Sequence, residues 1–398
     1  MKNFLSFIDN ELPLNLMQII YATYQFFPDF RTNTFQTIST INKLIENKWD
    51  VELVYPDRKK TLNNIDEFYD IKNTFKVTKV KHTKKFEFKT QTIFNKFAYI
   101  FNHLLFANRI KKYVKNHKNR NCILYTRSPY VLFSLGNLQN NVIYEVHQVT
   151  KITKLFIRLS IKKNKKIIFV VLTPYIQRLV QSLGVDESNI LYLETGYDES
   201  IFTELEKYQN NQKKEITRFI FGGSLDISGQ NKGINLIILG FDDFIKENNL
   251  TNITLDIYCS TQNERQLLDK FILDNEINDF IQIHSRVSLM DFYYELLKSD
   301  IGLIPLPDSD HVNKYSSSMK FFEYIRAGLV ILCSNVEANK RFYYEKAVFI
   351  ENDRDSIKKG IQNSLEILKK DIYFDVKTIK EYSYENRINK LINKINQF

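Results

Sequence analysis

Two successive series of short, predominantly apolar runs constrain this chain more than anything else in it. In the first half they fall at 16–23, 51–55, 122–125, 142–146, 167–172 and 190–193. In the second half they fall at 218–222, 253–259, 281–283, 301–305, 329–333 and 348–350. Each run has the length of a strand, and the stretches between them are long enough for helices. Runs with little polar alternation belong to strands covered on both faces, and alternation with helices implies parallel sheets. The expectation is an α/β chain with two Rossmann-like, doubly wound domains facing a central cleft. Ligands would then collect at the carboxyl ends of the strands. A length of 398 residues suits two domains.

Local signals refine this frame. A helix is expected over 34–47, with Phe35, Ile38, Ile41, Leu44 and Ile45 on one face. Pro56 is read as closing the strand before it, and Pro174 as opening a helix. The polar stretch 199–216, centred on Gln209-Asn210-Asn211-Gln212, reads as a linker. The three cysteines, Cys122, Cys259 and Cys333, are far apart and show no metal-ligand spacing, so a reducing, cytoplasmic compartment is expected. Neither a signal peptide nor a membrane-spanning run is read, because the apolar runs fall well short of the ~20 residues a span requires.

Charge is unevenly placed. Residues 72–120 hold 14 Lys and Arg against the single acid Glu87, and residues 151–166 hold seven against none. With a net charge of +10 overall, the remainder of the chain carries −10. The first segment interleaves its cations with Phe86, Phe88, Phe94, Phe97, Tyr99, Phe101 and Phe106. Such a mixture suits the inner face of an anionic membrane, to which the protein would bind peripherally. A solvated helix face over an ordinary aromatic core is the plainer alternative. Nucleic acid is disfavoured, since no DNA or RNA module surrounds the basic residues.

The stretch 316–328, Ser-Ser-Ser-Met-Lys-Phe-Phe-Glu-Tyr-Ile-Arg-Ala-Gly, carries the chemistry. Hydroxyls and a lysine at a helix N-terminus can hold a phosphate. Glu323, within the same helix, can accept hydrogen bonds from sugar hydroxyls. Together they describe a pocket for a nucleotide sugar.

Around this stretch the chain resembles the large retaining glycosyltransferase family of GT-B architecture, family 4-like (glycosyl transferases group 1). Near the start, Phe27-Pro28-Asp29-Phe30-Arg31 and the run from Trp49 to Pro56 are similar to the family's opening unit. Leu172-Thr173-Pro174 and Gly196-Tyr197-Asp198 with Phe202 resemble its mid-chain landmarks. Gly222-Gly223-Ser224-Leu225 with Asn231-Lys232-Gly233 resembles its donor-phosphate loop, and Ala327-Gly328 closes the match after Glu323. The tail around Tyr382-Ser383-Tyr384-Glu385 is similar to the family's closing helix. The implied layout is an acceptor-side domain over 1–200, a linker over 201–216 and a donor domain over 217–375. A C-terminal helix over 376–398 would cross back to the first domain.

The resemblance also implies roles. Glu323 would accept from the donor ribose. Lys232 would neutralise the diphosphate, with Gly222 and Gly223 allowing close backbone approach. Ser224 stands where the family has an arginine, and Lys320 is the candidate second cation. Tyr315 stands where another family glutamate is common, and Ser317-Ser318-Met319-Lys320 resembles the Ser-Pro-x-Lys variant that lacks it. Arg286 and Val287 would border the nucleobase. His147, the candidate catalytic residue, would hydrogen-bond the transferred sugar, while Glu145 is expected to face away from it. Arg31 and Thr32 would lie on the acceptor side. No metal or cofactor is expected. The implied activity is transfer of a sugar from a nucleotide-sugar donor to a glycan or lipid-linked acceptor in bacterial surface polysaccharide synthesis. A nucleotide-sugar epimerase and a catalytically reduced binding subunit are the alternatives.

Overall fold

The computed structural model describes residues 17–29, 31–57, 65–69, 71, 73–81, 93–118, 122–136, 138, 140–207, 215–277, 279–370, 372 and 376–398. The chain forms two compact units. The first comprises 1–171, 177–191 and 393–398, and the second comprises 172–176 and 192–392.

The first unit is built on a seven-stranded sheet. Its strands are β1 (Gln18–Ala22), β2 (Asp50–Asp57), β3 (Lys76–Lys81), β4 (Ile123–Thr126), β5 (Val142–Val146), β6 (Ile167–Val171) and β7 (Ile190–Tyr192), in the spatial order β3-β2-β1-β4-β5-β6-β7. β1 pairs in parallel with both β2 and β4, so the direction of winding reverses there. Helices α1 (Thr32–Glu46), α2 (Ile65–Tyr69), α3 (Ile93–Lys115), α4 (Pro129–Leu135), α5 (Lys151–Lys163) and α6 (Pro174–Ser182) connect the strands. Every residue of β4, β5 and β6 is buried, as the apolar runs require.

Two details depart from the sequence reading. β2 continues through Pro56 to Asp57, with Pro56 opposite Val80 of β3. A proline can stay in a strand where no ladder hydrogen bond is asked of its nitrogen. β3 itself, Lys-Val-Thr-Lys-Val-Lys, lies inside the segment read only as basic and aromatic. Lysines obscure its alternation, and they suit a strand at the end of the sheet.

The second unit carries a six-stranded sheet of order β12-β11-β8-β13-β14-β15. Its strands are β8 (Thr217–Gly223), β11 (Ile253–Cys259), β12 (Ile281–His284), β13 (Ile301–Ile304), β14 (Val330–Ser334) and β15 (Ala347–Ile350), again paired in parallel. A short antiparallel ribbon, β9 (Asp226–Ile227) and β10 (Gln230–Asn231), follows β8. Helices α7 (Glu199–Glu206), α8 (Ile234–Asn248), α9 (Gln262–Asp274), α10 (Leu289–Leu297), α11 (Asp310–Tyr315), α12 (Met319–Arg326), α13 (Glu337–Lys340), α14 (Arg354–Leu368), α15 (Val376–Ile379) and α16 (Tyr384–Asn396) complete the described elements. Two apolar cores form in this unit, one around Phe219, Leu255, Ile301 and Ile361, the other around Phe202, Tyr293, Phe321 and Ile331.

The span read as a linker begins as α7, capped by the Asp198 side chain and buried through Phe202 and Leu205. Residues 208–214, including Gln209-Asn210-Asn211-Gln212, lie outside the described residues. Among the described residues no helix is long and apolar enough to cross a membrane.

Candidate functional site

In the second unit the winding reverses between β8 and β13, where a doubly wound sheet opens a crevice beyond its carboxyl edge. β8 ends there on Gly222 and Gly223. A Cβ on Gly222 would fall 2.2 Å from the Phe292 ring, and Gly223 has φ +135, a conformation that side-chain-bearing residues rarely adopt. The Lys320 ammonium lies 3.2 Å from where a Gly223 Cβ would stand, so the first turn of α12 meets the end of β8.

The ribbon returns the chain to the same point. Ser228 and Gly229 both have positive φ and form its turn. Lys232 follows β10, and its Nζ donates to the Ser224 carbonyl at 2.7 Å. Burial, reinforced by the nearby Lys320 charge, pushes the Lys232 ammonium down to about 7. Lys320 is also held below the usual lysine range, by burial and by Arg286, with Glu323 acting in the opposite direction. Lys232, Lys320 and Arg286, drawn from three separate parts of the sequence, thus share one electrostatic neighbourhood. Of the three, Lys320 is the one that abuts Gly223, and a cluster of basic groups beside a glycine-rich strand end is an arrangement that can attract a polyanion.

Glu323 is buried, at 6% exposure, and accepts a 2.8 Å hydrogen bond from the Tyr293 hydroxyl of α10. Burial raises its carboxyl above the ordinary range, while Lys320 and the Tyr293 bond work against that rise. It is not a surface carboxylate; it is aimed inward one turn from the cations.

Ser224, at the family-arginine position, donates to Glu264 Oε1 at 2.6 Å. The Leu225 N–H donates to the same oxygen at 2.9 Å. Glu264 also completes a capping box with Thr261 at the start of α9. Burial disfavours its charge, but these hydrogen bonds prevail and hold the carboxyl below its usual range.

The three serines before α12 do different things. Ser317 exchanges hydrogen bonds with Thr195, at 2.9 Å from the Thr195 N–H and 3.0 Å from its hydroxyl to the Ser317 carbonyl, and its own hydroxyl donates to Glu194. Its side chain therefore anchors the segment from within. Ser318 occupies the N-cap position of α12 without a side-chain capping bond. The Ser316 carbonyl accepts from Arg341. Arg286 donates to the Ser260 carbonyl at 3.3 Å, bridging the loops after β11 and β12, and Val287 packs on the second core. Tyr315 stacks edge-on with Tyr175, ring centroids 5.6 Å apart.

In the first unit, His147 follows β5 at its carboxyl end, with about a third of its side chain exposed. Its Nε2 lies 2.6 Å from Glu145 Oε1 and 2.7 Å from Arg127 Nε. The expectation that Glu145 faces away is wrong. Residues two apart along a strand share a face, and these two meet. Arg127 also reaches Glu145 Oε1 at 2.8 Å, the Gln36 side chain at 2.8 Å and the Asn33 carbonyl at 2.9 Å. Tyr125 donates to the other Glu145 oxygen. Burial opposes the Arg127 charge, but the Glu145 carboxylate outweighs it and keeps the guanidinium protonated. The His147 nitrogen can accept from Arg127 when the imidazole is neutral, or donate to Glu145 when it is charged. Arg127 was not singled out from the sequence; its signal was a cation at the carboxyl end of an apolar run.

Arg31 precedes α1, largely exposed, in a 2.7 Å ion pair with Asp29. Thr32 is the exposed first residue of α1. Among the described residues, no group of three or more His, Cys, Asp or Glu side chains gathers as a metal site.

No family model and no curated protein matches the chain. Similar solved structures include trehalose 6-phosphate synthase from Burkholderia multivorans, at TM-score 0.61 and 11% identity over 96% of this chain and 93% of that one. Anabaena HepE in complex with UDP-glucose aligns at TM-score 0.60 and 10% identity over 96% of this chain and 100% of that one. UDP-GlcNAc 2-epimerase from Methanocaldococcus jannaschii aligns at TM-score 0.60 and 11% identity over 95% and 100%. At such identities the likeness is one of fold, and the fold is that of the two-sheet, Rossmann-like GT-B proteins.

Proposed function

We propose that this chain is a retaining, nucleotide-sugar-dependent glycosyltransferase acting on a glycan or lipid-linked acceptor, in the manner of family 4. The observation that carries this reading is Lys320 against Gly223, one helical turn from buried Glu323, with Lys232 held on the neighbouring Ser224 carbonyl and both Lys232 and Arg286 electrostatically coupled to Lys320. The diphosphate of a donor would lie against the glycines and the two lysines. Glu323 would exchange its Tyr293 partner for, or share it with, a ribose hydroxyl. A charged acceptor in such a bond contributes about 1.5–3 kcal/mol.

During transfer the bond from the anomeric carbon to the phosphate oxygen breaks, and a bond to the acceptor oxygen forms on the same face. The acceptor's proton passes to the departing phosphate. Negative charge grows on that phosphate, so lysines placed against it stabilise the transition state more than the ground state. His147, set by Glu145 and Arg127, would hydrogen-bond the sugar. Bacterial surface polysaccharide synthesis at the cytoplasmic side is the setting that this chemistry and the family resemblance suggest.

The test begins with thermal shifts against UDP-, GDP- and CMP-sugars, because a ligand of the folded state raises its stability by mass action. Donor turnover is then compared in the parent, Lys232→Ala and Glu323→Ala. Loss in both variants supports the reading, and unchanged turnover in both overturns it. A second reading, a nucleotide-sugar epimerase, is favoured by the fold shared with the Methanocaldococcus enzyme. Epimerisation of free donor without any acceptor would select it.

A further inference from the structure

Helices α3, α4 and α5 form one continuous layer on the first unit. α3 packs on α4, and α4 on α5. All three lead onward across the sheet in the same direction, from β3 to β4, β5 and β6, so right-handed crossovers put them on one face. Across these helices there are ten Lys and Arg and no Asp or Glu.

The outward stripe of α3 reads Phe97, Phe101, Leu104, Asn108, Lys111, Lys115, with Lys112 beside it. These positions recur at alternating intervals of four and three, which is one side of a helix. The stripe is apolar at its start and cationic at its end. Phe97 is 68% exposed, Phe101 48% and Leu104 38%. On α5 the corresponding stripe is Lys151, Leu155, Arg158 and Lys162, with Leu155 at 53% exposure. Of the aromatics singled out from the sequence, Phe97, Tyr99 and Phe101 are exposed and Phe106 is buried. Phe86 and Phe88, and the side chain of Phe94, lie outside the described residues.

We propose that this α3–α4–α5 face docks on an anionic lipid bilayer, with Phe97, Phe101, Leu104 and Leu155 entering the headgroup level and the lysines and arginines meeting lipid phosphates. Charge complementarity selects the partner. The six cations of the two stripes, on helices without an acid, would repel a basic partner and attract phosphate. Large apolar groups displayed among them have no use on a phosphate backbone alone, which cations suffice to bind. A bilayer uses both. The proposal stands on the first unit alone and does not depend on the donor site.

The experiment is co-sedimentation of the full chain with vesicles of phosphatidylcholine alone, or of phosphatidylcholine mixed with phosphatidylglycerol, over a range of salt. Binding is expected to the mixed vesicles only. A near-surface cation contributes about fivefold, so Lys111→Gln/Lys112→Gln/Lys115→Gln together should weaken binding by about 100-fold. Phe97→Ser/Phe101→Ser/Leu104→Ser should keep attraction at low salt and lose what survives at high salt. All six sites are on or beside the outward stripe, and an unchanged melting temperature shows that each variant is folded. Failure of the parent to bind mixed vesicles at low salt overturns the proposal, as does parent-like binding by both variants. Binding of duplex DNA or RNA as tightly as the vesicles, undiminished by the serine variant, would assign the face to nucleic acid and overturn it equally.

Discussion

At Lys232, a lysine pushed down to about 7 by burial and by Lys320 has a direct pH consequence. In the unfolded chain the same group sits at its ordinary 10.5, so between about 7 and 10.5 the unfolded state binds a proton that the folded state has lost. Stability contributed by this site therefore rises with pH across that window, and the penalty is complete below it. A bound diphosphate favours the charged form, so nucleotide binding should take up a proton near neutrality and weaken as pH rises above about 7. Calorimetry of a nucleoside diphosphate in two buffers of different ionisation enthalpy measures this; heats independent of buffer would contradict it. Tyr293→Phe removes the donor to buried Glu323 and should cost about 1–3 kcal/mol in urea denaturation. Lys232, Lys320 and Glu323 could be singled out from the sequence because they fall in motifs, and Arg286 because it follows a strand; their roles are those proposed above. Tyr293, Glu264, Arg127 and the Glu145–His147 contact were not, because each is defined by a partner distant in sequence or by a strand parity that was misjudged.

Among the elements, α12 is held at both ends. Its start meets Gly223 through Lys320, and its end is tied to α7, where Arg326 pairs with Glu199 at 2.7 Å and Glu206 at 2.6 Å. Arg326→Ala should destabilise the second unit by about 2 kcal/mol, since charged hydrogen bonds are lost while the two carboxylates partly rehydrate. Gly223→Ala forces a Cβ into a strained φ and against the Lys320 stem, at about 1–3 kcal/mol. Because the displaced group belongs to the proposed donor site, nucleoside diphosphate affinity should fall in the same variant. A Gly223→Ala protein of parental stability and affinity would show that the contact is unimportant. The long apolar strands were readable because burial on both sheet faces leaves an uninterrupted run. β3 and the β9–β10 ribbon were not: the first is written in lysines, and the second is only two residues a side. α7 was hidden by polar neighbours, although Asp198 and the spacing of Phe202 and Leu205 mark a capped, amphipathic turn.

For the whole molecule, each unit has its own sheet, and the two candidate sites draw on different networks. Arg127→Met should loosen the first unit, where the guanidinium joins β4, β5 and α1, yet leave nucleoside diphosphate affinity within about twofold, as expected of hydrogen-bond networks that share no residue. Denaturation and nucleotide titration of one variant read the two effects separately. The units also differ in charge. The stretch 192–392 holds 32 Asp and Glu against 25 Lys and Arg, although the chain as a whole is positive. The other unit carries an acid-free helical face, so the basic face of one copy can attract the acidic unit of another where salt does not screen them. At ~0.01 M salt, where fields reach about 30 Å, copies should associate, and at physiological salt they should part. Sedimentation velocity across that range would show it, and a bilayer that neutralises the basic face would abolish the self-attraction.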